Sequence, residues 1–120
     1  MPNVLIIDDD EQYRTRISKL LNKENIETQI ATNLLEVVET LMRDKDKIDL
    51  VLLDIQMPEA DGKDVADTIK DYTESIPIIV NSVTPLNDQR LKIGRAREYF
   101  QKGSSEKDLI KKIQAIIGGI

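Results

Sequence analysis

At 120 residues the chain has the length of one domain built round one core, and a second does not fit. With no cysteine and no histidine it can form neither disulfides nor thiolate or imidazole metal sites, so any chemistry must come from carboxylates, lysine, hydroxyls and backbone. A net charge of −5 argues against non-specific nucleic-acid binding, no window approaches the roughly 18 apolar residues of a membrane span, and a soluble cytoplasmic protein is the expectation.

The first run, residues 3–7 (NVLII), is short and wholly apolar after Asn3, as a strand covered on both faces requires. It ends in Asp8-Asp9-Asp10-Glu11. Tyr13, Ile17, Leu20 and Leu21 then form a helical stripe, followed by a weaker strand pattern at 26–31 (IETQIA). Leu34, Val37, Val38, Leu41 and Met42 make a second helical stripe. Residues 49–53 (DLVLL) read as another buried strand, stopped by Asp54, with Met57-Pro58 turning the chain away. Val65, Ile69 and Tyr72 continue the helical alternation. Residues 76–80 (IPIIV) suit a strand with Pro77 tolerated only at its start. The segment 85–96 is read as a helix despite ill-spaced apolar residues and an internal glycine; 97–101 (REYFQ) reads as a strand, and Leu109, Ile110, Ile113, Ile116 and Ile117 close the series as a helix.

Five strands alternating with five helices predict an α/β fold: a doubly wound five-stranded parallel sheet, covered on both faces through right-handed crossovers, in the flavodoxin-like order 2-1-3-4-5. Charge is uneven along it. Residues 1–89 carry 9 Lys+Arg against 19 Asp+Glu, a net −10, whereas residues 90–120 carry 8 against 3, a net +5. A solvated set of helix faces explains this as well as a partner-facing surface does.

In such a sheet ligands bind beyond the carboxyl ends of the strands. With the first and third strands adjacent, Asp8, Asp9 and Asp54 converge there. Like charges so close raise one another's pKa unless a cation intervenes, and an oxygen-only donor set suits Mg²⁺. Asp10 and Glu11 are better explained as the cap and first turn of the next helix. The fourth strand delivers Ser82 and Thr84 to the same edge, and the fifth delivers Lys102. Three acids, a hydroxyl and a lysine at four strand ends make a site for a metal and a phosphoryl group.

The order and spacing of Asp8-Asp9 after VLII, Asp54 before IQMP, Asp61-Gly62, Ser82 after IPIIVN and Lys102 after EYFQ resemble the receiver domains of two-component response regulators over essentially the whole chain. The resemblance implies that residues 1–120 are a single receiver domain with no output domain. Asp54 is then the nucleophile that takes a phosphoryl group from a histidine kinase or histidine phosphotransfer protein. Asp8, Asp9, Asp54 and the Gln56 backbone carbonyl hold Mg²⁺ (or Mn²⁺), Asp8 through water. Ser82 and Lys102 bind the phosphoryl oxygens, Tyr99 is the aromatic switch, and Gln56 and Thr84 occupy positions that tune dephosphorylation. The domain is not an enzyme beyond slow autodephosphorylation. It signals to a protein partner through its 83–117 face, made by the fourth helix, fifth strand and fifth helix, with no direct DNA binding and no membrane contact, as a monomer or a phosphorylation-dependent dimer.

The pattern departs from the family in the output half. Gly103 follows Lys102 where proline is common, Val83 stands where alanine or glycine is common, and Gly94-Arg95 sit one residue out of register with the glycine cap usual before the fifth strand. These departures motivate an alternative, a phosphorylation-independent pseudo-receiver that acts as a protein-binding module. A haloacid-dehalogenase-type phosphatase would need an aspartate where Gln56 stands.

Overall fold

A computed structural model describes residues 1–58 and 60–118. The chain runs β1 (Asn3–Ile7), α1 (Glu11–Lys23), β2 (Glu27–Ala31), α2 (Leu34–Asp44), a single 3₁₀ turn (Lys45–Lys47), β3 (Leu50–Leu53), β4 (Gln56–Met57), β5 (Ala60–Asp61), α3 (Gly62–Tyr72), β6 (Ile78–Ser82), α4 (Leu86–Lys92), β7 (Glu98–Gln101) and α5 (Glu106–Gly118). The main sheet has the order β2-β1-β3-β6-β7, all neighbours parallel. Because β4 and β5 form a separate two-stranded hairpin, β6 and β7 are the fourth and fifth strands of the sheet, and its order is the expected 2-1-3-4-5.

The apolar runs are continuous because both faces are covered. Alternate residues divide between two cores. Leu5, Ile7, Val51, Leu53, Ile78 and Val80 pack with Val37 and Leu41 of α2, Val65 and Ile69 of α3 and Ile93. Val4, Ile6, Leu50, Leu52, Ile79 and Phe100 pack with Ile17 and Leu21 of α1 and Leu109 and Ile113 of α5. Asp10, Asn33 and Asp61 each cap a helix, accepting from the backbone N–H of Tyr13, Glu36 and Lys63 respectively.

Several boundaries differ from the sequence reading. The fourth strand begins at Ile78, two residues later than expected, because Pro77 has no N–H for the ladder, and it runs on to Ser82 because Asn81 and Ser82 pair with Phe100 and Gln101. The two-residue strands at 56–57 and 60–61 carry too little pattern to be read in sequence. Of the expected α2 stripe, Met42 is 71% exposed and Leu34 also reaches solvent, while Thr40 is buried with its hydroxyl bonded to the Glu36 carbonyl. The fourth helix spans seven residues instead of twelve. Its buried position is Gln89 while Leu91 is 85% exposed, which is why its apolar spacing looked wrong. No left-handed cap forms at Gly94 or Arg95; the helix has already ended at Lys92, with Ile93 extended.

Gly62 opens α3 against Ile55. A methyl group at Gly62 would lie 2.6 Å from Ile55 Cβ and 2.7 Å from its Cα, contacts that require the backbone to shift. Gly62→Ala is therefore expected to destabilise the fold by about 1–3 kcal/mol through overpacking, even though alanine favours a helix. Urea unfolding measures this, and a neutral or stabilising result would show that α3 moves away freely.

Candidate functional site

The site follows from the register. Ile7 pairs with Leu53, so the residues next in chain, Asp8 and Asp54, emerge side by side from two central strands. The Asp54 N–H continues the ladder to the Ile7 carbonyl at 2.9 Å, and the Asp8 N–H bonds the Ala31 carbonyl at 3.2 Å. On the other side Ser82 pairs with Gln101, and the Lys102 N–H bonds the Ser82 carbonyl at 2.8 Å, which sets Lys102 at the same edge.

There the side chains meet. Lys102 Nζ lies 2.7 Å from Asp8 Oδ2 and 3.1 Å from Asp54 Oδ2. The second oxygen of each acid accepts a backbone N–H two residues on, from Asp10 at 2.9 Å and from Gln56 at 2.9 Å. Asp8 and Asp54 are buried and Asp9 is exposed; one oxygen from each of the three falls within 4.8 Å of the others. The Gln56 backbone meets Asp54 through its N–H and pairs with Asp61 in the β4–β5 hairpin.

The electrostatics are lopsided. Burial pushes the Asp8 carboxyl above the usual aspartate range, against the Lys102 and Asp10 bonds that pull it down. Burial pushes Lys102 down, but its bonds to Asp8 and Asp54 and their charges outweigh that and leave its pKa raised. Both directions hold together because one ammonium is shared: it has anions to spare, while each carboxylate has only part of a cation. Three acids against one lysine leave the cluster two positive charges short of neutral. An all-oxygen donor set with that deficit fits a hard divalent cation.

Ser82 and Thr84 also reach this edge, but their hydroxyls bond each other at 3.1 Å, and the Thr84 N–H bonds Ser82 Oγ at 3.3 Å. Val83 between them is 56% exposed. Tyr99 points to the α4–β7 connection: its hydroxyl donates to the Ile93 carbonyl and accepts the Ala96 N–H at 3.2 Å, with the Arg90 guanidinium 5.3 Å from the ring centre. The Ser82 hydroxyl is thus engaged with Thr84, and the Tyr99 hydroxyl with the α4–β7 connection.

Three further residues take part. Gln89 is wholly buried, and its Nε2 donates to the carbonyls of Thr84 at 2.8 Å and Phe100 at 3.0 Å, with Ser82 at 3.3 Å. Among the described residues its Oε1 has no partner. Tyr13 lies beneath Lys102, and Asn81 donates to the Tyr13 hydroxyl at 2.8 Å. Tyr13 hid in an apolar stripe, although a phenol one turn after an acid cluster was a usable signal. Gln89 had none, since a glutamine in a poor helix reads as surface. A cavity of about 530 Å³ lined by Lys70, Glu74, Ile76, Arg95 and Arg97 lies at the opposite end of β6 and contains none of these groups, whereas Asp9 and Gln56 each line a separate opening beside the acids.

A sequence model of the family described as "Response regulator receiver domain" matches residues 4–114. The transcriptional regulatory protein CpxR of Escherichia coli K12 is 28% identical over 120 residues, covering 98% of this chain and 50% of CpxR; the chain thus spans about half the length of this relative. Among solved structures, the response regulator TrrA of Thermotoga maritima in complex with Mg²⁺–BeF superposes with a TM-score of 0.84 at 28% identity, covering 97% of this chain and 99% of that one. A receiver domain protein from Clostridium thermocellum gives 0.87 at 27% identity, covering 98% and 95%. With a receiver-family match across nearly its whole length and a sheet that overlays those structures, the chain belongs to the response regulator receiver domain family.

Proposed function

We propose that the protein accepts a phosphoryl group on Asp54 from the phosphohistidine of a histidine kinase or histidine phosphotransfer protein, and signals by the rearrangement that follows. The observation that carries this reading is the single Lys102 ammonium bridging the buried Asp8 and Asp54 carboxylates at the sheet edge. Asp8, Asp9, Asp54 and the Gln56 carbonyl would hold Mg²⁺ or Mn²⁺, Asp8 through water; the similar TrrA carries Mg²⁺–BeF. The cation supplies charge neutralisation and alignment for an anionic phosphoryl group.

Asp54 attacks ionised, so no general base is needed, in keeping with a chain that lacks histidine. One of its oxygens forms the bond to phosphorus as the phosphorus–nitrogen bond breaks, and the donor imidazole leaves with that electron pair. Lys102, released from sharing between two acids, follows the new charge as a phosphoryl partner. Ser82 exchanges its Thr84 contact for a phosphoryl oxygen. The Ser82–Thr84 turn is tied through Gln89 to α4 and β7, so its displacement works on the loop that holds the Tyr99 hydroxyl. Tyr99 then turns inward, and the basic α4–β7–α5 face presents the signal to a protein partner. Taking such an equilibrium from mostly off to mostly on needs about 5 kcal/mol, within reach of a few charge-assisted hydrogen bonds acting together. The role is signalling rather than turnover, with Gln56 and Thr84 tuning slow autodephosphorylation.

Incubation with Mg²⁺ and a small acyl phosphate is expected to add one phosphoryl group by intact mass, and Asp54→Asn to abolish it. An adduct that persists in the variant would disprove the acceptor assignment. Amide exchange with Mg²⁺ and beryllium fluoride should change across residues 83–103. An adduct without that change would favour the second reading, a binding module indifferent to phosphorylation, for which the left-handed Gly103 (φ 100°) and the exposed Val83 speak.

Mg²⁺ alone should stabilise the fold. At a hundredfold excess over its dissociation constant the gain is about 2.7 kcal/mol, or on the order of 10 °C in melting temperature. Asp9→Asn, at an exposed position, should keep the fold and lose most of that gain; an undiminished shift would place the cation elsewhere.

A further inference from the structure

Lys102 must hold one position through a change of partners. Its contacts to Asp8 and Asp54 are with groups whose charge environment alters once a cation and a phosphoryl group arrive. Its backbone is held toward β6 through the Ser82 carbonyl, but the next residue, Gly103, has a φ of 100° and open space around it, and α5 starts only at Glu106, so the backbone leaves the long side chain undirected. One side-chain contact is independent of those partners. Lys102 Nζ lies 4.2 Å from the centre of the Tyr13 ring, in a setting where the lysine side chain is only 11% exposed and Tyr13 only 7%.

We propose that Tyr13 is a positioning residue whose ring face holds the Lys102 ammonium over the Asp8–Asp54 pair. A ring face attracts a desolvated cation more strongly than an exposed one, replacing part of the hydration that burial removes. The ring is itself fixed at both ends. Tyr13 stands in the first turn of α1, where its own N–H is bonded to Asp10 at 3.1 Å, and its hydroxyl accepts from Asn81 at 2.8 Å. Asn81 precedes Ser82 on β6, so the ends of β6 and β7 are referenced to one aromatic plate. A second cation, Arg16, lies 5.2 Å from the same ring, but its side chain is 54% exposed and paired with Glu106 at 2.8 Å, so the ring replaces far less lost hydration for it than for the buried Lys102.

The inference rests on the proposed role of Lys102, and its test has one arm that does not. Tyr13→Leu keeps an apolar side chain in the core and removes the ring; Tyr13→Phe keeps the ring and removes the hydroxyl. In the metal-free protein the Lys102 ε-methylene protons should resonate upfield through the ring current, remain upfield in Tyr13→Phe and return to ordinary positions in Tyr13→Leu. With an acyl phosphate at saturating Mg²⁺, Tyr13→Leu should form the Asp54 adduct about three- to tenfold more slowly, and Tyr13→Phe should recover most of that loss. Mg²⁺ affinity should be unchanged in both, and Tyr13→Phe should still melt lower because the buried Asn81 amide loses its acceptor. Unshifted ε-methylene protons in the parent chain, or Tyr13→Leu reacting at the parent rate, would overturn the proposal. An absent adduct in the parent chain would instead count against Asp54 as acceptor, and the resonance arm would still decide whether Tyr13 holds Lys102.

Discussion

One buried ammonium shared between two buried carboxylates sets the terms for the rest of this molecule. Neither acid can move far into solvent, because each follows directly on a central strand, and neither is neutralised, because Lys102 cannot serve both fully. Burying charge in this way costs stability unless partners close the balance. The surrounding fold supplies the compensation. Three aliphatic strands, packed on both faces, hold the acids in place, and the backbone N–H groups of Asp10 and Gln56 occupy their second oxygens. The cluster retains an unmet demand for positive charge, and the proposed binding of a divalent cation rests on that demand.

The same register that creates the demand also carries its consequences outward. Ser82 and Lys102 are backbone neighbours across the β6–β7 ladder, so in the proposed switch a change in what Lys102 touches has a direct route to β6. Beyond Ser82 the connections are polar. Gln89 spans the Thr84 and Phe100 carbonyls, and Tyr99 is held by two backbone groups of the α4–β7 connection. Directional bonds of this kind favour discrete alternatives over gradual deformation, because a bond half stretched is lost while its buried partner still needs another.

The sheet, its order and the convergence of Asp8, Asp9, Asp54 and Lys102 were legible in the sequence because they depend on continuous apolar runs and on what ends them. Those signals are dense: NVLII and LVLL admit few readings. The region from Ser82 to Tyr99 was less legible for a physical reason. Its buried position in α4 is filled by a glutamine, the strand before it starts after a proline, and its helix ends without a glycine cap, so hydrophobic period and punctuation both mislead. The β4–β5 hairpin is too short to show a period at all. Tyr13 was visible but explained too easily, since its ring belongs to the core while serving the site.

An element whose identity rests on apolar burial is stable but indifferent to a charge change tens of atoms away. α4 is the reverse: seven residues, no side-chain cap, an exposed Leu91 on its outer face, and a buried amide whose Oε1 lacks a partner among the described residues. Such an element has little intrinsic helical stability and depends on the carbonyls that Gln89 grips. Moving those carbonyls removes what holds it, whereas moving an equal distance beneath α1 or α5 would meet aliphatic packing that resists. The weakness of α4 and its place beside Ser82 make it the element on which the proposed switch would act, while the two cores on either side of the sheet keep their packing.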